Sequence, residues 1–226
     1  AILEQARQKP GMKPTDRTVN MAMLAAQQAL ESAGLVGADL PGQPQNVATI
    51  FGTGLGASHA VYKAAMGYAA KGAHGVRPTS VPRCMANTIT AQISIRYRLT
   101  GPNYVIVSAC ASSTHALGTA FRMIRDGYAD RVLCGGCDSP FDPLVYSGWN
   151  SIGLLSKNPD PATACRPFDA ARNGFVLGEG AATLVLESLD SATQRGVRIR
   201  GEIAGYGQSS DATHITPTNP EGQAPP

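Results

Sequence analysis

Apolar residues recur along the chain with two alternating periods. In Thr15–Gly34, Val19, Met23, Ala26 and Leu30 fall on one stripe at helical spacing, and Gly34 is a natural stop. The run Val47–Gly54, "VATIFGTG", is short and continuously apolar before a glycine turn, which predicts a buried strand. Helices are expected over His59–Lys71 and from about Cys84 to Leu99, the second closed by Gly101. "NYVIVSAC", Asn103–Cys110, predicts a second strand, and Ser112–Asp126 a helix with Leu117, Phe121 and Ile124 on one face. "RVLCGG" predicts a third strand whose glycines mark its exit. Asp138–Arg166 is rich in Gly, Pro, Asn and Ser and is expected to be irregular. "GAATLVLESL" and "VRIRGEIAGYG" predict two more strands around a short helix, Ser191–Gly196. Strands alternating with helices give an α/β class with a largely parallel sheet.

Composition narrows this picture. The chain has 226 residues, 43% hydrophobic and only 15% charged, with 25 glycines, which suits a tightly packed α/β core or one that hides surface against a second subunit. A net charge of +3 without a basic cluster argues against nucleic acid. No apolar run reaches membrane-spanning length, and "AILEQARQKP" lacks the charged-then-apolar order of a signal peptide. Five irregularly spaced cysteines do not make a disulfide framework and fit a reducing cytoplasm. Cys134 and Cys137 form a CxxC, but no second pair or nearby histidine supports zinc, so two small buried residues are expected. The chain starts in "AILEQ" without methionine and stops in the polar "TPTNPEGQAPP", which reads as a piece of a longer polypeptide.

Cys110 stands where the second strand runs into the helix behind it. In a parallel α/β sheet that junction lies at the carboxyl edge, where ligands bind. The amino end of a helix brings unpaired N–H groups and partial positive charge, which favour a thiolate and can hold an oxyanion. Ala109, Ala111, Ser112 and Ser113 are small enough for a sharp turn, the logic of a nucleophile elbow with sulfur in place of oxygen. By position alone a buried structural cysteine is an equal alternative. "GTGLG" is no dinucleotide fingerprint, because Ala57 stands at the third glycine.

The longer runs carry a resemblance. "GPNYVIVSACASSTHALGTAFRMIRDGYADRVLCGG" resembles the nucleophile region of the β-ketoacyl-acyl-carrier-protein synthases. "LLSKNPDPATACRPFDAARNGFVLGEGAATLVLESLDSATQRG" resembles the segment that follows it, "GYGQSSDATHITPTNPEG" the loop opening the family's second half, and "IFGTGLG" its early glycine turn. The likeness runs from about Thr15 to the last residue and is nearest the elongating synthases, in fatty-acid or polyketide synthesis.

The resemblance implies a thiolase-like fold layered α-β-α-β-α. Residues 1–226 would then be the synthase's N-terminal region, with its opening strand missing and the second half beginning at about 198–226. It implies a decarboxylative Claisen condensation with Cys110 as nucleophile and its backbone N–H as one oxyanion donor. No bound cofactor is implied. The substrates ride on the phosphopantetheine of an acyl carrier protein, and the synthase is a homodimer or a ketosynthase-like heterodimer in the cytoplasm. Thr216 and His214 would line the pantetheine and substrate channel, and Leu55 and Trp149 the acyl pocket. The family's two catalytic histidines sit in motifs that this sequence does not contain, so the 226 residues alone are expected not to condense. His115 is read as a packing or rim residue. Arg166, Asp169 and Glu179 are read as structural, bracing a loop through ion pairs and backbone bonds, with Gly174, Gly178 and Gly180 allowing tight turns. The alternative is a non-elongating chain-length partner of a ketosynthase heterodimer, which typically lacks the cysteine.

Overall fold

A computed structural model of the chain describes residues 16–36, 45–214 and 216–222. Helix α1, Arg17–Ser32, is capped by the Asp16 carboxylate, which accepts from Thr18 N–H. The expected helix start at Thr15 lies outside the described residues. Strand β1, Ala48–Gly52, leads to α2, Ser58–Lys71, and a short 3-10 turn, Gly72–Gly75. A separate short helix, α3, Ser80–Cys84, precedes the helix predicted from about Cys84 to Leu99, which is shorter than expected: α4, Thr88–Tyr97. Then come β2, Asn103–Ile106, α5, Ser112–Arg125, and β3, Arg131–Asp138. Two helices cross the segment expected to be irregular: α6, Pro143–Ile152, and α7, Pro161–Ala164. Strand β4, Gly180–Glu187, and α8, Leu189–Gln194, follow.

The four strands form one sheet in the order β2-β1-β3-β4. β1 runs parallel to β2 and to β3, and β4 pairs antiparallel with β3. Alternation along the central strands divides the core. On one face Val47, Phe51, Leu133 and Cys137 pack with α1 and α4, through Val19, Met23, Leu30, Ile89 and Ile93. On the other, Ala48, Ile50, Val132 and Cys134 pack with Ala116 and Ala120 of α5. The described residues thus form an α-β-α sandwich, as the α/β pattern required.

This alternation also settles the CxxC. Positions three apart on a strand point to opposite faces, so Cys134 and Cys137 enter different halves of the core and cannot share a bond or an ion. Their glycines do not end the strand as expected. β3 continues through them to Asp138.

Val197–Gly207, read as a strand opening a second half, forms none. An extended segment becomes a strand only beside a ladder partner; here Arg200 bonds Ser32 of α1 and Tyr206 packs on α5 instead. A Cβ on Gly118 would meet the Tyr206 ring at 2.3 Å.

Candidate active site

The site is built at the carboxyl edge of β1 and β3. Gly52 and Gly136 are partners in the parallel register of these strands. A Cβ on Gly52 would lie 2.2 Å from the backbone carbon of Ser112, and one on Gly136 would lie 2.5 Å from Ser113 Cβ. Two missing side chains therefore open the gap into which the amino end of α5 is lowered.

Cys110 is exposed beside that gap. β2 ends at Ile106, before the expected Cys110, because the chain reverses sharply. Ala109 has φ +46°, a left-handed conformation that costs a non-glycine residue about 1–2 kcal/mol. Ala111 N–H donates to Ser108 O at 3.1 Å, and Ser112 N–H to Ala109 O at 3.2 Å. These tight bonds make an elbow with Cys110 at its outer corner. α5 carries no acidic side chain in its first turn, so the positive end of its dipole is not neutralised from within the helix.

The glycine turn after β1 lies alongside. The Asp138 carboxylate accepts from Thr53 Oγ1 at 2.8 Å, Gly54 N–H at 2.7 Å and Leu55 N–H at 2.9 Å. A Cβ on Gly54 would come within 3.5 Å of Ala109 O, so Leu55 sits on a turn that abuts the elbow. Its side chain is partly exposed.

The other expected site residues make local contacts of their own. Trp149, on α6, is half-buried and packs edge-to-face on Phe175, with ring centroids 6.3 Å apart. His214 and Thr216 are exposed, and the Thr216 N–H donates to His214 Nδ1 at 3.0 Å. His115 Nδ1 bonds the Tyr206 hydroxyl, and the Arg122 guanidinium stacks over the same ring at 5.0 Å.

The braces differ in part from expectation. Glu179 does tie elements together, bonded to the Arg17 guanidinium and accepting from Ser139 Oγ at 2.8 Å. The Arg17 bond, with Ser139 helping, holds its carboxyl below the usual carboxylate range. Arg166 and Asp169 form no ion pair with each other. Arg166 Nε donates to Thr163 O at 2.6 Å, and Asp169 Oδ1 accepts from Ala171 N–H at 2.7 Å, so both brace their loop through backbone. Gly174 is required, since its Cβ would meet the Leu155 backbone at 2.6 Å, whereas Gly178 and Gly180 face open space. Burial pushes the Cys134 thiol up to about 12 and also raises that of Cys137, leaving both inert beside the exposed Cys110.

Sequence reasoning missed Thr53 and Asp138 and read Ser112 only as a small residue allowing the turn, whereas the three together hold elbow and turn. A signal was present: a hydroxyl residue opening the helix two places after the cysteine, and a carboxylate ending the strand beside the glycine turn.

The family model of the β-ketoacyl synthase N-terminal domain matches residues 5–192. The chain belongs to the β-ketoacyl synthase family. It is 39% identical over 212 residues to 3-oxoacyl-[acyl-carrier-protein] synthase 2 of Synechocystis sp., covering 93% of this chain and 50% of that protein. The chain thus spans about half the length of the curated relatives it matches. Among solved structures, the ishigamide ketosynthase/chain length factor superposes with a TM-score of 0.78 at 35% identity, covering 88% of this chain and 48% of that one. A complex of a type II polyketide synthase acyl-carrier protein with its ketosynthase bound to the hexaketide superposes with a TM-score of 0.73 at 25% identity, covering 83% and 47%. The fold is thiolase-like, as the sequence resemblance implied.

Proposed function

We propose that this chain is the nucleophile-bearing region of an elongating β-ketoacyl-acyl-carrier-protein synthase, with Cys110 as the acyl acceptor. The observation that carries the reading is the exposed thiol on a strained elbow at the amino end of α5. The Cys110 thiolate attacks the carbonyl carbon of an acyl-carrier thioester. The tetrahedral oxyanion takes a hydrogen bond from Cys110 N–H, and the phosphopantetheine thiolate departs and gains a proton. A malonyl carrier then loses carbon dioxide, and its carbanion attacks the acyl-cysteine. That releases the thiolate and a β-ketoacyl product two carbons longer. Leu55 and Trp149 bound the acyl chain, and Thr216 and His214 line the approach of the pantetheine. The synthase acts as a homodimer or a ketosynthase-like heterodimer, without a bound cofactor.

Two similarities support an acyl carrier and a paired subunit: a ketosynthase in complex with its carrier, and a ketosynthase/chain length factor. The second also keeps open the reading of a non-elongating partner, against which Cys110 speaks. The test is incubation of the full-length protein with acyl-carrier thioester, then peptide mass mapping. Acylation of Cys110, lost in C110A, is expected; an unmodified Cys110 in folded protein would favour the partner reading. The 226 residues by themselves, lacking both histidine motifs, are expected to give no condensation product, and elongation by that piece would overturn the assignment of the remaining catalytic groups.

A further inference from the structure

We propose that Ser112 and Asp138 are positioning residues, which clamp the nucleophile elbow and the glycine turn into one unit so that Cys110 and Leu55 keep a fixed relation. The inference rests on the reading of Cys110 as nucleophile. Ser112 is 2% exposed, yet its hydroxyl faces three backbone groups in two segments. It accepts the Ser108 N–H at 2.7 Å, and its own proton faces Ala109 O at 2.7 Å and Thr53 O at 3.1 Å. A hydroxyl has one proton to give, so at any moment the group ties Ser108, through the N–H it accepts, either to Ala109 O or to Thr53 O at the end of β1. Thr53, 1% exposed, carries the link onward. Its carbonyl faces Ser112, while its hydroxyl donates to Asp138 and accepts the Gly56 N–H at 2.8 Å. Asp138 then holds the N–H groups of Gly54 and Leu55. Neither Ser112 nor Asp138 lies at the reacting sulfur. Both act on it through backbone: Ser112 fixes the left-handed Ala109 that turns Cys110 outward, and Asp138 fixes the turn that presents Leu55.

A purely structural bond would change stability and leave the catalytic constants alone. The test therefore uses full-length wild type, S112A and D138N, each confirmed as folded by thermal melting. The initial rate of Cys110 acylation is measured against carrier concentration for a short and a long straight-chain acyl thioester. S112A is expected to lower the maximal rate about tenfold or more at an unchanged half-saturating concentration, because a displaced nucleophile loses alignment rather than affinity. D138N puts an amide N–H where the turn needs an acceptor, so at least one of Gly54 and Leu55 loses its bond. It is expected to shift the ratio of short-chain to long-chain rates at least threefold, well below the roughly tenfold or more that a single methylene commands in an apolar pocket. A folded S112A with wild-type maximal rate, or with only its half-saturating concentration changed, overturns the clamp, as does an unchanged chain-length ratio in D138N. Should S112A fail to fold, D138N decides alone. A wild-type protein that is not acylated at Cys110 removes the nucleophile reading and the clamp together, whereas acylated wild type with unaltered variants removes the clamp only.

Discussion

At Gly52 the addition of one methyl group decides whether the elbow can form. The Cβ of an alanine would lie 2.2–2.3 Å from three backbone atoms of Ser112 and Ser113, and backbone at the start of a packed helix cannot rotate away. Gly52→Ala is therefore expected to cost about 3 kcal/mol or more, the upper range for overpacking, seen as a lower midpoint in urea unfolding. A wild-type midpoint would show that α5 does not rest on this strand end. The cysteine at the junction was legible in the sequence because its signal is local: an apolar run, small residues, then helical spacing. The paired glycines under the helix were not. Their role depends on a parallel register that joins positions 84 residues apart (52 and 136), which no short pattern encodes.

The secondary-structure elements show the same division between local and distant information. α1, β1, α5 and β4 stand close to their predicted spans, because each carries a core-facing period or run; α2 also keeps its predicted span, although none of its residues is buried. α6 was missed although its punctuation was there: Asp142 as cap, Pro143 at the first turn and Gly153 in a left-handed C-cap. What it lacks is an apolar stripe facing the core, since Leu144, Tyr146 and Ile152 are all exposed. Val197–Gly207 failed in the opposite sense, having β-like composition but no ladder to join. Because α6 has little packing to hold it, its cap matters. The Asp142 carboxylate accepts the Val145 N–H at 2.9 Å, and D142A is expected to remove about 1 kcal/mol from this helix. Amide exchange across residues 143–152 should then quicken about fivefold while that of β1 and β3 stays as it was. Uniform acceleration through the sheet would mean that the helix opens only with the whole fold.

On the scale of the whole molecule, Arg17, Ser139 and Glu179 join the start of α1, the exit of β3 and the approach to β4. The tie gathers three distant parts of the chain around the side of the sheet that carries Asp138. Its contribution depends on charge. The Arg17 guanidinium lowers the folded-state value of the Glu179 carboxyl, with Ser139 assisting, so ionised Glu179 stabilises the fold. That stability is fully present above the unfolded value, about pH 4.3, and is lost as pH falls through the lower folded value. Arg17 is half exposed, with a side chain 48% accessible, and screening therefore limits the pair to about 1 kcal/mol or less. Glu179→Gln should lower stability by that amount at pH 7, measured by urea unfolding, and the gap from wild type should narrow steadily below about pH 4. A gap that persisted unchanged at pH 3 would mean that Glu179 holds these elements by shape and hydrogen bonding alone, and that the three segments meet without help from the charge.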